Sequence, residues 1–514
     1  MKLDIIKDDN LSIRDKIIKV SNLSDEQVKQ LEQINIELSS ISDINFNKAK
    51  ERILLAKHNN EKVFVAGDYD CDGIMATTII KDLLDRLGIE NGYYIPNRFN
   101  EGYGLSENTI NLIHDKGYTL VITVDNGVKA YDALNKCKEY NIDVILTDHH
   151  TMEDELDVYT ILHPTLMDKQ FINMCGAGVA LYLSRMFFNI DKHIVLAMIA
   201  TIGDMMPVWN ENRLIIKKGL ELLNNSDYYE FKCLLNKKNI LNETDISFNI
   251  VPKINAIGRL NQINVNSLVK YFSSNDNIYI NKFKDIINNQ NDIRKKISLD
   301  MTNKALENIN DNDNIIVIYD DNYHEGMCGL VAGSITNKLN KPTIVLSHSN
   351  NKYKGSGRSI ENINLYNILD EYKDLYMSFG GHAKAIGISI SDDNINEFIN
   401  IIKNIKIDTK EEIYKVIDIN INDLTIDNIN EINKLRPFGV DFKQPLFYID
   451  KFNVLSKTLI KGMYPKWILE SKNKVEAISF QIENNIDANY FLFEPSINVF
   501  NRVESVSLLV KKVG

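Results

Sequence analysis

Three times in the first third of the chain, a short apolar run stops at an acidic or histidine-bearing cluster. Lys62–Ala66 leads into Asp68-Tyr69-Asp70-Cys71-Asp72-Gly73, Leu120–Val124 stops at Asp125, and Val144–Leu146 leads through Thr147 into Asp148-His149-His150. Two further short apolar runs, Tyr93–Ile95 and Tyr159–Leu162, belong to the same series. Helix-like stretches such as Ile74–Arg86 and Lys129–Tyr140 lie between them. Strand-length runs alternating with helices leave few architectures open, and the leading one is a parallel, doubly wound sheet. Such sheets hold ligands outside the carboxyl ends of their strands. That is where these acids fall.

The remainder divides by texture. The first ~60 residues read as helical, with Leu23, Val28, Leu31 and Ile34 at helix-like spacing. Cys175 to Ile202 is helical, and Asn264 to Asn308 reads as a long helical connector. A second α/β pattern follows: strand Ile315–Tyr319, helix Cys328–Leu339, strand Thr343–Leu346, then two glycine clusters. The last hundred residues carry short β-rich runs (Pro445–Ile449, Val475–Gln481, Val506–Val510), consistent with a small barrel.

Composition narrows the function. At roughly 100–200 residues per domain, 514 residues make two to four domains, and 44% hydrophobic residues suffice for packed cores. A net charge of -11 argues against an indiscriminately basic nucleic-acid coat. It leaves room for a local basic groove: residues 451–514 hold nine Lys plus Arg against six Asp plus Glu. No apolar run approaches the ~18 residues of a membrane helix. Residues 1–10 lack the apolar core of a signal peptide. The cysteines (Cys71, Cys137, Cys175, Cys233, Cys328) are scattered and odd in number, which points to a reducing cytoplasm.

Asp68, Asp70 and Asp72 supply oxygen ligands of the kind hard divalent cations take. The D-x-D-x-D-G start mimics a calcium loop, but the twelfth position is Ile79 rather than Glu and the preceding segment is strand-like. A catalytic metal site therefore suits the loop better than a calcium clamp. Asp125 and Asp148-His149-His150 stand at equivalent strand ends, and Asp204 follows Ala200–Gly203. Of nine histidines, three (His149, His150, His163) lie within fifteen residues, a clustering that suits a metal ligand with a carboxylate behind it.

In order, spacing and strand context, Gly67–Gly73, Asp125, Asp148-His149-His150 and Asp204 resemble the four motifs of the DHH phosphoesterase superfamily. Within it, the chain resembles the RecJ-like single-strand-specific exonucleases. Further segments carry the closer likeness: His163-Pro164, Cys175–Ala180, Pro252–Arg259, the stretch with Asn289, Arg294 and Lys295, Lys354–Ser359, Phe379–Gly387, and Leu435–Gly439. There are departures. Some relatives place a metal-binding His where this chain has Ala66, so that water or Asp68 would complete the shell, and Gly203 stands where Ala is common. The chain's end at Gly514 implies that the extra C-terminal domain of some relatives is absent.

The resemblance implies an α/β fold in which a parallel-sheet DHH domain (1–260, with an N-terminal helical segment) is joined by a long helix (261–310) to a smaller α/β DHHA1 domain (311–408). An OB-like β-barrel (409–514) follows. It implies two Mn²⁺ or Mg²⁺ ions about 3.5–4 Å apart, with Asp125 bridging, Asp70 on one ion, and Asp72, His149 and Asp204 on the other. Asp68 and Asp148 would act as supporting acids that orient His149. His150, Arg259, Arg358 and His382 would meet the phosphate, with Ser359 and the glycines Gly355, Gly380 and Gly381 allowing close backbone approach. Tyr464, Trp467, Phe480, Tyr490 and Phe491 are candidates for base stacking or barrel core. The implied activity is 5′ to 3′ hydrolysis of single-stranded DNA to 5′-mononucleotides in repair and recombination. A single-strand-binding protein and a RecQ-type helicase are the implied partners of a cytoplasmic monomer without membrane association. The rivals are a phosphodiesterase of short oligoribonucleotides or cyclic dinucleotides, an inorganic pyrophosphatase, and a non-catalytic replication scaffold. The barrel-like tail and the retained ligands disfavour all three.

Overall fold

The computed structural model describes residues 2–8, 10–99, 104–235, 240–307, 309–310, 313–407, 413–471, 474–480, 488–500 and 503–514. The expected boundaries at 311 and 408–409 lie outside these residues, as do Asn308 and Gln481, the ends of two expected segments.

The apolar runs of the first third become one parallel sheet. Its spatial order is Asn91–Tyr94, Lys62–Ala66, Tyr118–Val124, Asp143–Thr147 and Thr160–Leu162. From Lys62–Ala66 the chain first adds a strand on one side and then returns to add Tyr118–Val124 on the other. The crevice between these two strands is the topological switch point, the usual ligand position in such sheets. Helices Cys71–Leu87, Gly176–Arg185 and Asp191–Gly203 bury apolar faces in the main core beside it.

The connector is two helices, Asn266–Ser273 and the 30-residue Asn277–Leu306, split at Ser274-Asn275-Asp276, where the Asp276 side chain caps the second. A second, mixed sheet follows, in the order Tyr376–His382, Ala385–Ser391, Lys352–Arg358, Thr343–Ser349, Ile316–Asp320. Helix Cys328–Leu339 packs on it over a core of its own.

The C-terminal sheet corrects one expectation. Its eight strands include Lys2–Ile6 at one edge, paired in parallel with Ile413–Asp418. Lys2–Ile6 therefore lies in the C-terminal sheet, and the chain crosses from there to the first α/β sheet. Helix Asp25–Glu32 ends before Ile34, which is exposed, so the apolar spacing around Ile34 does not mark a helix. Alternation of Leu3, Ile5 and Tyr414, which pack on Val416, explains the strand. Trp467 and Phe491 fill the core of this sheet with their rings 5.1 Å apart, whereas Phe480 is exposed beside Tyr464.

One buried cation holds the base of the first sheet. Arg52, on helix Ile44–His58, bonds Glu61 at 2.7 Å and Asp143 at 2.6 Å, tying the helix to the starts of two strands. Burial raises Glu61, but hydrogen bonds from Thr119, Arg52 and Asn59 outweigh it and leave its carboxyl below its ordinary value. A depressed carboxyl stabilises the fold above its unfolded-state pKa, and that contribution fades as pH falls through the folded value. We expect Arg52→Met to cost on the order of 3 kcal/mol by leaving Glu61 unpaired. Urea denaturation should also show that the variant loses less further stability than the wild type as pH falls below about 4.5.

Candidate active site

The acids converge at the switch point for local reasons. Asp70 is the N-cap of helix Cys71–Leu87, its Oδ1 accepting from the N–H groups of Asp72 (2.9 Å) and Gly73 (3.2 Å). Asp72 sits in that helix's first turn. Its two oxygens accept from the backbone N–H groups of Gly176 and Ala177, each at 2.7 Å. The positive end of helix Gly176–Arg185 thus holds one buried carboxylate in place. Asp125 ends its strand in the left-handed region, at φ +61°, a conformation uncommon outside glycine.

Three groups of ligating atoms lie within 4.8 Å of one another: Asp68, Asp70 and Asp125; Asp72, His149 and Asp204; Asp125, His149 and His150. His149 Nε2 is 3.1 Å from Asp125, 3.5 Å from Asp204 and 3.7 Å from Asp72. Burial and mutual repulsion push the carboxyls of Asp68, Asp70 and Asp125 above their ordinary values, and Asp204 up to about 9. Burial also lowers His149. Asp68 Oδ1 is buried with no hydrogen-bond donor among the described residues. A crowd of buried carboxylates with an unfilled acceptor fits a divalent cation, whose charge would keep the group ionised. Asp68 therefore stands within ligand distance, beside the position where Ala66 offers no side-chain donor.

The expectation that Asp148 orients His149 needs correction. Asp148 is buried and accepts from the N–H groups of Val128 (3.0 Å), His149 (2.7 Å) and His150 (3.1 Å). Its ring partner is His150, whose Nδ1 lies 2.8 Å from Oδ1. Burial opposes charge on both groups, yet their pairing wins, lowering Asp148 and raising His150. His163 adds an Nε2 contact of 2.8 Å to the His150 carbonyl.

Arginines from both sides of the seam with the second sheet complete the surroundings. Arg259 sits at the seam with the second sheet, its Nη1 3.4 Å from the Gly326 carbonyl. Burial and the neighbouring charges of Arg98, Arg358 and Arg294 lower it to about 10, while Asp70 opposes that shift. Arg98 was not among the residues expected from sequence. It lies over the Tyr69 ring (5.2 Å) and acts on Asp68. Its signal was available, because it follows the strand Asn91–Tyr94 as the acids follow theirs.

The glycine expectation also changes. Gly355 and Gly380-Gly381 lie in strands, not loops. A Cβ on Gly355 would meet the Val345 carbonyl at 1.9 Å, so this glycine serves close strand packing. Ser359 turns its hydroxyl to the Ile363 carbonyl at 2.8 Å. His382, Ala385 and Arg358 form one row across three strands, which sets the Gly380–His382 end of the edge strand beside Arg358.

With this geometry in view, family models match in chain order: the DHH family, N-terminal domain, over residues 62–203, the DHHA1 domain over 312–407, and the RecJ OB domain over 417–512. The chain thus carries a DHH domain, a DHHA1 domain and a C-terminal RecJ OB domain. The single-stranded-DNA-specific exonuclease RecJ of Bacillus subtilis is 33% identical over 76% of this chain, which spans about half (52%) of that relative's length. The Haemophilus influenzae protein of the same name is 27% identical over 90% of this chain and 89% of its own. In fold, the chain is similar to Thermus thermophilus RecJ in complex with Mn²⁺, with a TM-score of 0.84 at 20% identity, covering 100% of this chain and 79% of that one. RecJ-like architecture thus places the Asp70 and Asp72 carboxylates at a helix start and the arginines at the seam between the two α/β sheets.

Gly176 leaves no room for a side chain beside Asp125. A Cβ there would lie 2.6 Å from the Asp125 Cβ and 2.9 Å from its Cα. We expect Gly176→Ala to push helix Gly176–Arg185 away from Asp125 and Asp72, costing roughly 1–3 kcal/mol in urea denaturation.

Proposed function

We propose that the chain is a divalent-cation-dependent exonuclease that degrades single-stranded DNA from the 5′ end, releasing 5′-mononucleotides in repair and recombination. The observation that carries this reading is the carboxylate–imidazole cluster at the switch point, with Arg98 and Arg259 acting on Asp68 and Asp70. Similar proteins are single-stranded-DNA-specific exonucleases by name, one solved RecJ is in complex with Mn²⁺, and both ligands fit these residues.

Two Mn²⁺ or Mg²⁺ ions, when bound, supply an activated water and offset charge at phosphorus. Asp68, Asp70 and Asp125 would hold one, and Asp72, His149 and Asp204 the other, with Asp125 between. Asp148 fixes the His150 ring through Nδ1, so the proton His150 offers a phosphate oxygen sits on Nε2. Its raised pKa keeps that proton available near neutral pH. Arg98, Arg259 and Arg358 offer planar forks to the phosphates, and the Gly380–His382 strand end borders that row. Tyr464 and Phe480 are the aromatics placed to stack bases.

Among the described residues no helix is long and apolar enough to cross a membrane. Under this reading the chain acts as a cytoplasmic monomer on strands exposed by a RecQ-type helicase and covered by a single-strand-binding protein.

The test offers 5′- or 3′-labelled single strands, blunt duplex and dinucleotides to the purified protein, with Mn²⁺ or Mg²⁺. Immediate release of 5′ label from single strands is expected, with blunt duplex spared. Asp125→Ala should reduce the rate to background, and Asp148→Asn should reduce it by about 10–100-fold. Preference for dinucleotides, or cation-independent cleavage, would refute the reading.

A further inference from the structure

The carboxylates of the site are not held alike. Asp70, Asp72 and Asp148 each accept backbone N–H groups. No N–H group among the described residues holds the Asp204 carboxylate, whose nearest partner is His149 at 3.5 Å. Its position therefore follows the backbone that leaves helix Asp191–Gly203. That backbone turns through Met205, an exposed side chain at φ +56°, and through Asn210 at φ +55°. A non-glycine chain keeps such conformations only where its surroundings impose them.

Met206 N–H still donates to the Thr201 carbonyl at 3.1 Å and Asn210 is held by Gln30, but from Pro207 onward the C-terminal domain supplies further contacts. Pro207 pairs with Val440 in a parallel bridge, and Val208 N–H donates to the Val440 carbonyl at 3.1 Å. Trp209 Nε1 donates to the Asp441 carbonyl at 3.1 Å while its ring lies 5.0 Å from Phe442. Arg213, fully buried, donates to the carbonyls of Leu435 (2.8 Å), Arg436 (3.0 Å) and Pro437 (3.4 Å). In return Glu243 accepts from the Phe438 N–H at 3.0 Å and pairs with Arg436. The Leu435–Phe438 part of the motif is thus held by Arg213 and Glu243, and Gly439 packs on Val208 of the loop after Asp204.

We propose that the loop 435–442 positions Asp204, so that the docking of the C-terminal domain sets the cation affinity of the site. The inference rests on Asp204 being a cation ligand. Val208, Trp209 and Gly439 act as positioning residues, since none of them lies in the ligand groups.

Gly439 offers a selective wedge. A Cβ there would meet Val208 Cγ1 at 2.6 Å, and within 4 Å among the described residues its one other neighbour is Val208 Cβ at 3.9 Å. Gly439→Ala should therefore displace Val208, and through it the Asp204 loop, while Val208→Ala removes the obstructing methyl. The experiment measures Mn²⁺ binding to the full chain by calorimetry without DNA, well below the unfolding temperature. Gly439→Ala is expected to weaken binding about 10-fold. Val208→Ala alone should bind as wild type, and the double variant should recover wild-type affinity. Trp209→Phe, which keeps the ring contact but loses the bond to Asp441, gives a gentler second probe and should weaken binding severalfold. Asp204→Asn separates the two levels of the claim. If it binds Mn²⁺ as wild type does, the ligand assignment fails. If it weakens binding while Gly439→Ala and Trp209→Phe do not, the positioning proposal alone fails. Weakening by Gly439→Ala that Val208→Ala does not relieve also overturns it, because a general loss of packing would behave that way.

Discussion

Crowded, buried negative charge is the constraint on which the rest of the molecule depends. Asp68, Asp72, Asp125 and Asp148 are each almost wholly buried at the ends of neighbouring strands, with Asp70 and Asp204 close by. Burying ionised carboxylates without partners is prohibitive. The fold answers with two kinds of partner. Helix starts present N–H groups to Asp70 and Asp72, and His150 neutralises Asp148. The remaining oxygens are left facing one another, which raises their pKa values and makes the group a receptor for cations. The doubly wound topology makes this possible because the switch point opens a crevice between Lys62–Ala66 and Tyr118–Val124.

Every other part of the chain can be placed by its relation to that crevice. Arg358, on the second sheet beyond the long helix Asn277–Leu306, comes close to Arg259, which acts on Asp70. Net charge takes on a local meaning here: the chain as a whole is acidic, while the seam between the α/β sheets concentrates arginines, and burial followed by their mutual repulsion lowers Arg259 and Arg358. Such a seam suits a polyanion that brings its own negative charge. The C-terminal domain is not a loosely tethered appendage. It holds the first strand of the chain at one edge and pairs with the loop after Asp204 through Val440.

Much of this was readable in the sequence because strand-ending acids carry a physical signature. Asp68, Asp70, Asp72, Asp125, His149 and Asp204 all reach one crevice, as their places after apolar runs imply. Other features depended on contacts distant in sequence. Nothing local tells that Lys2–Ile6 pairs with Ile413–Asp418, since a five-residue strand has little period of its own. Asp148 has two adjacent histidines to choose between, and only the bend of the chain selects the His150 ring. Gly355 resembles a phosphate-loop glycine by composition, yet its neighbour is the Val345 carbonyl across the sheet. Arg98 obeys the same strand-end rule but lies outside the motifs that carry the family resemblance.

Anomalous diffraction from crystals grown with Mn²⁺ tests the central claim most directly. The crowded-carboxylate account predicts two peaks in the crevice, one within reach of Asp68, Asp70 and Asp125 and the other within reach of Asp72, His149 and Asp204, with Asp125 between them. Peaks confined to other parts of the surface, or a crevice that stays empty while Asp125 keeps its position, would contradict it.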